Sequence, residues 1–196
     1  MAATLNPFSL RALGFAAGYL IREPRKFWPR LALKVRQIAN GGAYPALAPG
    51  AVRFIQRELL MRSKPIVGEW GCGRSTLWLA GRCSKLISVE SDDTWFELIS
   101  REINRRGMKN VTLLRREGAD YVQALASTGV KNFDVIIIDG VQRAQCAAVA
   151  CTVLKPGGLI VLDNSNRPEY AAFIPMLGKA IVVFKGHATQ TSVFRA

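Results

Sequence analysis

A chain of 196 residues and 21.5 kDa has room for one catalytic domain and excludes a second. With 49% hydrophobic and 21% charged residues it carries enough apolar material for a core, which excludes disordered and fibrous classes. Twenty-seven Lys and Arg against 14 Asp and Glu give +13, which admits a polyanion or an anionic membrane surface as partner and says nothing about fold.

The first 64 residues hold much of that excess, with eleven basic residues against Glu23 and Glu58. The apolar run 12–21 is about half the ~20 residues a membrane-spanning helix needs, and no small-residue cleavage site follows it. Neither secretion nor a transmembrane anchor is expected. Four cysteines without a CxxC pair, and His187 as the single histidine, point away from zinc and toward a reduced, cytoplasmic protein. Between Arg22 and Arg36, six basic residues and one acid are interleaved with Phe27, Trp28, Leu31, Leu33 and Val35. Three readings stand for this stretch. Near an anionic bilayer each Lys or Arg is worth ~1 kcal/mol, which would make the protein peripheral at a membrane. The same residues can neutralise RNA phosphates while an aromatic stacks on a base. The plainest reading is a solvated basic helix packed on its own domain or on a partner subunit; the oligomeric state is not readable. Gly41, Gly42, Pro45, Pro49 and Gly50 mark a loop, and Val52, Ile55, Leu59 and Leu60 share a helical face in 51–61. The division expected is a basic N-terminal helical extension, 1–50, and a main domain, 51–196.

From Lys64 onward strand-like runs alternate with helical stretches, the pattern of a parallel sheet covered on both faces. Strands are predicted at 65–70, 85–90, 111–115, 133–139, 158–163 and 180–185. A short hairpin at 186–190 makes the last strand, 191–195, antiparallel. Val135, Ile136, Ile137 and Ile138 are apolar at consecutive positions, so strand four is central. A surface helix is predicted at 92–106, and a crossover helix at 143–154 that Lys155-Pro156-Gly157-Gly158 ends and turns into strand five. The fold class is α/β, doubly wound, a mostly parallel seven-stranded sheet with an antiparallel last strand.

Glu69-Trp70-Gly71-Cys72-Gly73-Arg74-Ser75-Thr76 lies between a strand and a helix, and Glu90 closes the next strand. Strand, glycine turn, helix, strand and terminal acid make a nucleotide-binding unit, although GxG by itself matches many ordinary turns. The glycines allow close backbone approach, and Glu90 is placed to accept hydrogen bonds from two ribose hydroxyls. A dinucleotide would want a small residue at Thr76 and would bring a pyrophosphate toward Glu69, which has the wrong sign. A ligand bearing an ammonium and a sulfonium, such as S-adenosylmethionine (SAM), suits that carboxylate. Glu69 is also open to simple capping or ion pairing near the turn.

The chain resembles class I SAM-dependent methyltransferases from about Ala51 to Ala196. The matching pieces are EWGCGRSTLWLA from Glu69, LISVE ending at Glu90, VTLLRREGAD from Val111, FDVIIIDG from Phe133, LKPGGLIVLDN from Leu154, and the closing TSVF strand. The resemblance implies cofactor over the carboxyl ends of strands one to four and substrate beside strands four and five. By position, Glu69, Gly71 and Gly73 would hold the amino-acid end of the cofactor, Glu90 the ribose, and Gly118 and Ala119 the adenine, with Asp120 either an adenine contact or a helix start. Ser75 and Thr76 are read equally as helix caps or as contacts to the cofactor carboxylate. A second resemblance, to cation-dependent O-methyltransferases, places Asp139, Asp163 and Asn164 as ligands of Mg²⁺ or another divalent cation. The chain departs from that group at Gly140-Val141-Gln142-Arg143, which supplies no Lys or His base. Under the other reading Asp139 contacts the cofactor and Asp163 with Asn164 caps a turn. The candidate proton acceptors are Asp139 and His187, the latter equally a solvated loop residue. Arg143 and Arg167 are read either as residues that orient an acidic acceptor or as solvated surface arginines, the commoner case. The activity expected is methyl transfer to an oxygen of a small molecule, with nitrogen and RNA acceptors open. The rivals are a non-catalytic adenosyl-ligand or anionic-surface binder of the same fold and an NAD-dependent oxidoreductase.

Overall fold

The computed structural model describes residues 42–186 and 189–196. The basic stretch 22–36 and His187 lie outside the described residues. In chain order the elements are α1 (Pro49–Leu60), β1 (Ile66–Trp70), α2 (Arg74–Ala80), β2 (Lys85–Glu90), α3 (Asp93–Arg105), β3 (Val111–Arg115), α4 (Gly118–Ser127), β4 (Phe133–Ile138), α5 (Arg143–Val153) and β5 (Leu154–Leu162). Two 3-10 turns follow (Pro168–Tyr170 and Ile174–Leu177), then β6 (Val182–Lys185) and β7 (Gln190–Arg195). The seven strands form one sheet in the order β3-β2-β1-β4-β5-β7-β6, with β7 antiparallel to both of its neighbours. The doubly wound sheet with an antiparallel last strand, read from the sequence, is the fold observed.

Two apolar layers follow from the period-two alternation of buried strands. Val135 and Ile137 of β4 and Leu159 and Val161 of β5 join Ile55, Leu79 and Ile99 of α1, α2 and α3 on one face. Ile136, Ile138, Ile160 and Leu162 join Tyr121, Leu125, Ala147 and Ala150 of α4 and α5 on the other. All six residues of β4 are buried, as its apolar run required. Among the described residues no helix is long and apolar enough to cross a membrane.

Strand five begins earlier than the glycines suggested. Leu154 already pairs with Phe133, and the register shifts before Val135 meets Leu159, so Lys155-Pro156-Gly157-Gly158 is a strand irregularity and not a turn. Gly157 takes φ +73°, and the chain end satisfies the backbone there: Gly157 N–H donates to Ala196 O at 3.0 Å and Ala196 N–H to Gly158 O at 3.1 Å. α1 begins at Pro49, inside the stretch read as loop, because proline suits the first helical position. Residues 43, 47 and 48 pack with α1 in the core, and Ala48 N–H donates to Thr191 Oγ1 at 3.2 Å.

The carboxyl ends of β1, β2, β4 and β5 therefore share one edge of the sheet. The strand order reverses between β1 and β4, which is where open α/β sheets bind ligands.

Candidate functional site

Glu69 is fully buried near the end of β1. Its Oε2 accepts from Thr76 Oγ1 and from Ser88 Oγ, both at 2.6 Å, while Oε1 has no hydrogen-bond partner among the described residues. Burial pushes this carboxyl up from its ordinary range, and the hydroxyls of Ser75, Ser88 and Thr76 oppose that rise. Thr76 also accepts from Gly73 N–H at 2.9 Å, so one side chain caps α2 and holds Glu69. Of the two sequence readings for Thr76, capping is what the geometry displays. Ser88, in the middle of β2, escaped sequence reasoning; the only available signal was a hydroxyl within an apolar strand.

Glu90 closes β2, and its carboxylate is already engaged. Oε1 accepts from Ser91 N–H at 2.7 Å and Asp92 N–H at 2.8 Å, and Oε2 accepts from Cys72 N–H at 2.9 Å. A carboxylate has about four lone-pair positions, so roughly one remains for a ribose hydroxyl, not two. Glu90 thus ties the glycine turn after β1 to the loop after β2. Gly73 is extended at φ 177°, and a Cβ there would meet only Ser75 Oγ at 3.9 Å, which leaves its face open to a ligand. Gly118 and Ala119 are exposed in the first turn of α4, with Asp120 beside them, and Gln142 Nε2 donates to Gly118 O at 3.3 Å across from the loop after β4.

Gly71 serves the protein itself. It takes φ +93°, and a Cβ would stand 2.6 Å from Gly140 N. Gly140 is under the same pressure from the other side, where a Cβ would fall 1.9 Å from Tyr121 Oη. The loops leaving β1 and β4 meet backbone to backbone at the reversal point. Asp139 N–H donates to Trp70 O at 2.9 Å beside that contact.

At the ends of β4 and β5 stand Asp139, Arg143, Asp163 and Asn164. The Asp139 carboxyl is pushed up to about 7, by burial first and then by neighbouring Asp163, against the pull of Arg143. Its Oδ1 accepts from Arg143 Nη2 at 3.0 Å. Asp163 Oδ1 accepts from Thr189 Oγ1 at 2.8 Å and Thr191 Oγ1 at 2.7 Å. Asn164, at φ 50°, donates from Nδ2 to Thr189 Oγ1 at 2.8 Å and accepts at Oδ1 from Arg167 at 3.1 Å. The contacts that the structure shows at these three residues go to protein groups and not to the cation expected from the second resemblance: Asp139 Oδ1 is held by Arg143, Asp163 Oδ1 by two threonine hydroxyls, and Asn164 by Thr189 and Arg167. Among the described residues no group of three or more His, Cys, Asp and Glu could hold a metal ion. Arg143 corrects its own expectation as well. It is buried and donates to protein carbonyls, whereas the half-exposed Arg167 donates to Asn164 Oδ1 and pairs with Glu169 at 3.9 Å.

No protein-family model and no curated protein matches the chain. Solved structures do. An O-methyltransferase from Bacillus cereus in complex with S-adenosylhomocysteine (SAH) superposes with a TM-score of 0.64 at 19% identity, covering 86% of this chain and 90% of that one. The O-methyltransferase TomG from Streptomyces achromogenes, in complex with SAM, gives 0.60 at 19% over 83% and 88%. An rRNA methylase from Streptococcus thermophilus gives 0.60 at 13% over 74% and 95%. The chain has the Rossmann-like fold of class I SAM-dependent methyltransferases. At these identities the likeness carries fold and not acceptor, and the acceptors named among the three differ in kind.

Proposed function

We propose that the chain is a SAM-dependent methyltransferase whose acceptor is an oxygen of a small molecule. The observation that carries the cofactor is Glu69: a fully buried carboxyl with the Ser75 hydroxyl close by, one oxygen held by the hydroxyls of Thr76 and Ser88 and the other without a hydrogen-bond partner among the described residues, beside a glycine turn at the reversal of strand order. An unpaired buried carboxylate oxygen is costly, and a cationic ligand offsets that cost. Under this reading Glu69 and Gly73 hold the amino-acid end, Glu90 a ribose hydroxyl through its remaining acceptor position, and Gly118 with Ala119 the adenine. The sulfonium supplies a methyl carbon already activated for displacement. With the cofactor bound, Asp139 would take the acceptor's proton while the acceptor lone pair displaced sulfur from the methyl carbon, the C–S electron pair leaving with the sulfur. Oxygen is the acceptor atom in this proposal because a hydroxyl has one proton to give to Asp139. A cytoplasmic setting, and an anionic membrane surface or RNA as partner of residues 22–36, belong to the proposal on cysteine usage and charge alone.

Calorimetric titration tests this reading. SAM and SAH are expected to bind, and Glu69→Gln to weaken both by about 10- to 100-fold, the scale of hydrogen bonds to a charged group. Binding of NAD with no response to SAM would replace the reading with an oxidoreductase. SAM binding with no SAH formed against any acceptor in a metabolite panel would replace it with a non-catalytic binder.

A further inference from the structure

Arg143 stands in the first turn of α5 and is 7% exposed. Its Nε donates to Gly140 O at 2.9 Å, its Nη2 to Asp139 O at 2.7 Å and Asp139 Oδ1 at 3.0 Å, and its Nη1 to Asp163 O. Four of about five guanidinium N–H groups are thereby directed at oxygen. A guanidinium keeps its proton in proteins, so the corner between β4 and β5 holds a permanent positive charge ringed by three carbonyl oxygens and one carboxylate oxygen. Carbonyl and carboxylate oxygens are what a hard divalent cation gathers. The arginine draws the same oxygen types together but offers no open coordination positions.

On the methyltransferase reading, we propose that Arg143 is a positioning residue that takes the place of a divalent cation. It fixes Asp139 through Oδ1, joins the ends of β4 and β5, and commits the site to an acceptor that gives one proton to Asp139. A cation with open positions can hold two neighbouring substrate oxygens at once; a buried, nearly saturated guanidinium cannot. The substrate class is therefore a single hydroxyl, and a chelating pair of oxygens is excluded.

The test uses the full chain, with and without SAH. In a Mn²⁺ titration followed by electron paramagnetic resonance, the aqueous signal should stay undiminished up to about 1 mM, the weak end for oxygen-ligand sites. A saturable loss of signal that Asp163→Asn abolishes would overturn the proposal. In protein labelled with ¹³C at aspartate Cγ, the resonance assigned to Asp139 through Asp139→Asn should titrate near 7. Arg143→Met should move that midpoint to higher pH by about one unit or more, since burial and the facing carboxylates of Asp163 and Glu69 would then act unopposed. Arg143→Lys, which keeps the charge without the fork, should fall between. An unmoved midpoint in Arg143→Met would remove the positioning role; if that variant does not fold, the Mn²⁺ titration of the natural chain decides. Failure to bind SAH would strike the methyltransferase reading alone, because the Mn²⁺ and Asp139 readouts are also taken without it.

Discussion

At the scale of single residues, the tightest demand falls on Gly140. An added Cβ would stand 1.9 Å from Tyr121 Oη and 2.9 Å from Gly71 N. Gly140→Ala should therefore lower stability by about 1–3 kcal/mol, the usual effect of overpacking, measured as a shift in denaturant midpoint. The clash is with a buried hydroxyl that lies beside the Val141 backbone, so Tyr121→Phe should change stability by no more than about 1 kcal/mol. In the Tyr121→Phe background part of the Gly140→Ala loss should return, and the part due to Gly71 should not. A Gly140→Ala chain that melts like the natural one would show that the two loops do not meet. Asp139 makes a second demand, with a sign that follows from its raised pKa. The folded state holds that proton up to about 7, the unfolded state only to the ordinary aspartate range, so stability falls as pH rises between the two. Asp139→Asn removes this dependence, and its stability relative to the natural chain should improve from pH 5 to pH 8 in thermal melts. The same ionisation predicts turnover rising with pH through about 7.

At the scale of elements, α3 shows how far local chemistry reaches. Asp92 caps it by accepting Trp95 N–H at 2.8 Å, and Arg105 lies in its last turn. Asp92→Ala should cost about 1 kcal/mol, read by urea denaturation; no change would mean that tertiary packing alone holds this terminus. Its Ile99 and Ile103 are buried. The sequence puts Trp95, Leu98, Ile99 and Ile103 at helical spacing, yet only the isoleucines face the core and Trp95 and Leu98 are each 51% exposed, whereas four consecutive apolar residues did announce β4. What sequence could not supply were contacts between elements distant along the chain. Gly157 and Gly158 read as a break because the bonds that satisfy their backbone come from Ala196. The sign of Glu69 was legible, and so was its place beside the glycines. Its two hydroxyl partners were not, because Ser88 reaches it only through the parallel pairing of β1 with β2. Arg143 resembled a surface arginine for the same reason: its four oxygen partners come from the loop before α5 and from the residue after β5. Glu90 was read by analogy as a ribose ligand; of the three backbone N–H groups that occupy it, those of Ser91 and Asp92 follow it directly in the chain, and only that of Cys72 needs a second loop brought alongside.

Across the whole molecule the buried charges divide between the two ends of the sheet. At the carboxyl ends Glu69 and Asp139 are raised in pKa, burial being the leading cause for each. At the opposite end Asp134, near the start of β4, accepts Ile66 N–H at 2.8 Å and pairs with Arg62 at 3.3 Å and with Lys155. Burial pushes Asp134 up, but the bonds from Lys155, Ile66 and Arg62 outweigh it and hold the carboxyl below its ordinary value. Arg62 and Arg195 also reach Glu58, each at 3.6 Å, so this network links α1, β1, β4, β5 and β7. A carboxyl lowered on folding contributes stability that is present above its unfolded pKa and lost as pH falls through the folded one. Removing one partner of a buried pair leaves the others uncompensated, so Asp134→Asn should cost about 3 kcal/mol at pH 7, with the deficit shrinking below about pH 4. Because Asp134 stands at the far end of the strands from Glu69, SAH affinity should be unchanged in Asp134→Asn. Glu69→Gln should do the reverse, losing affinity while relieving a buried carboxyl. Paired melts and SAH titrations of the two variants test this separation, and a parallel loss of affinity in both would show that one buried network serves stability and binding together.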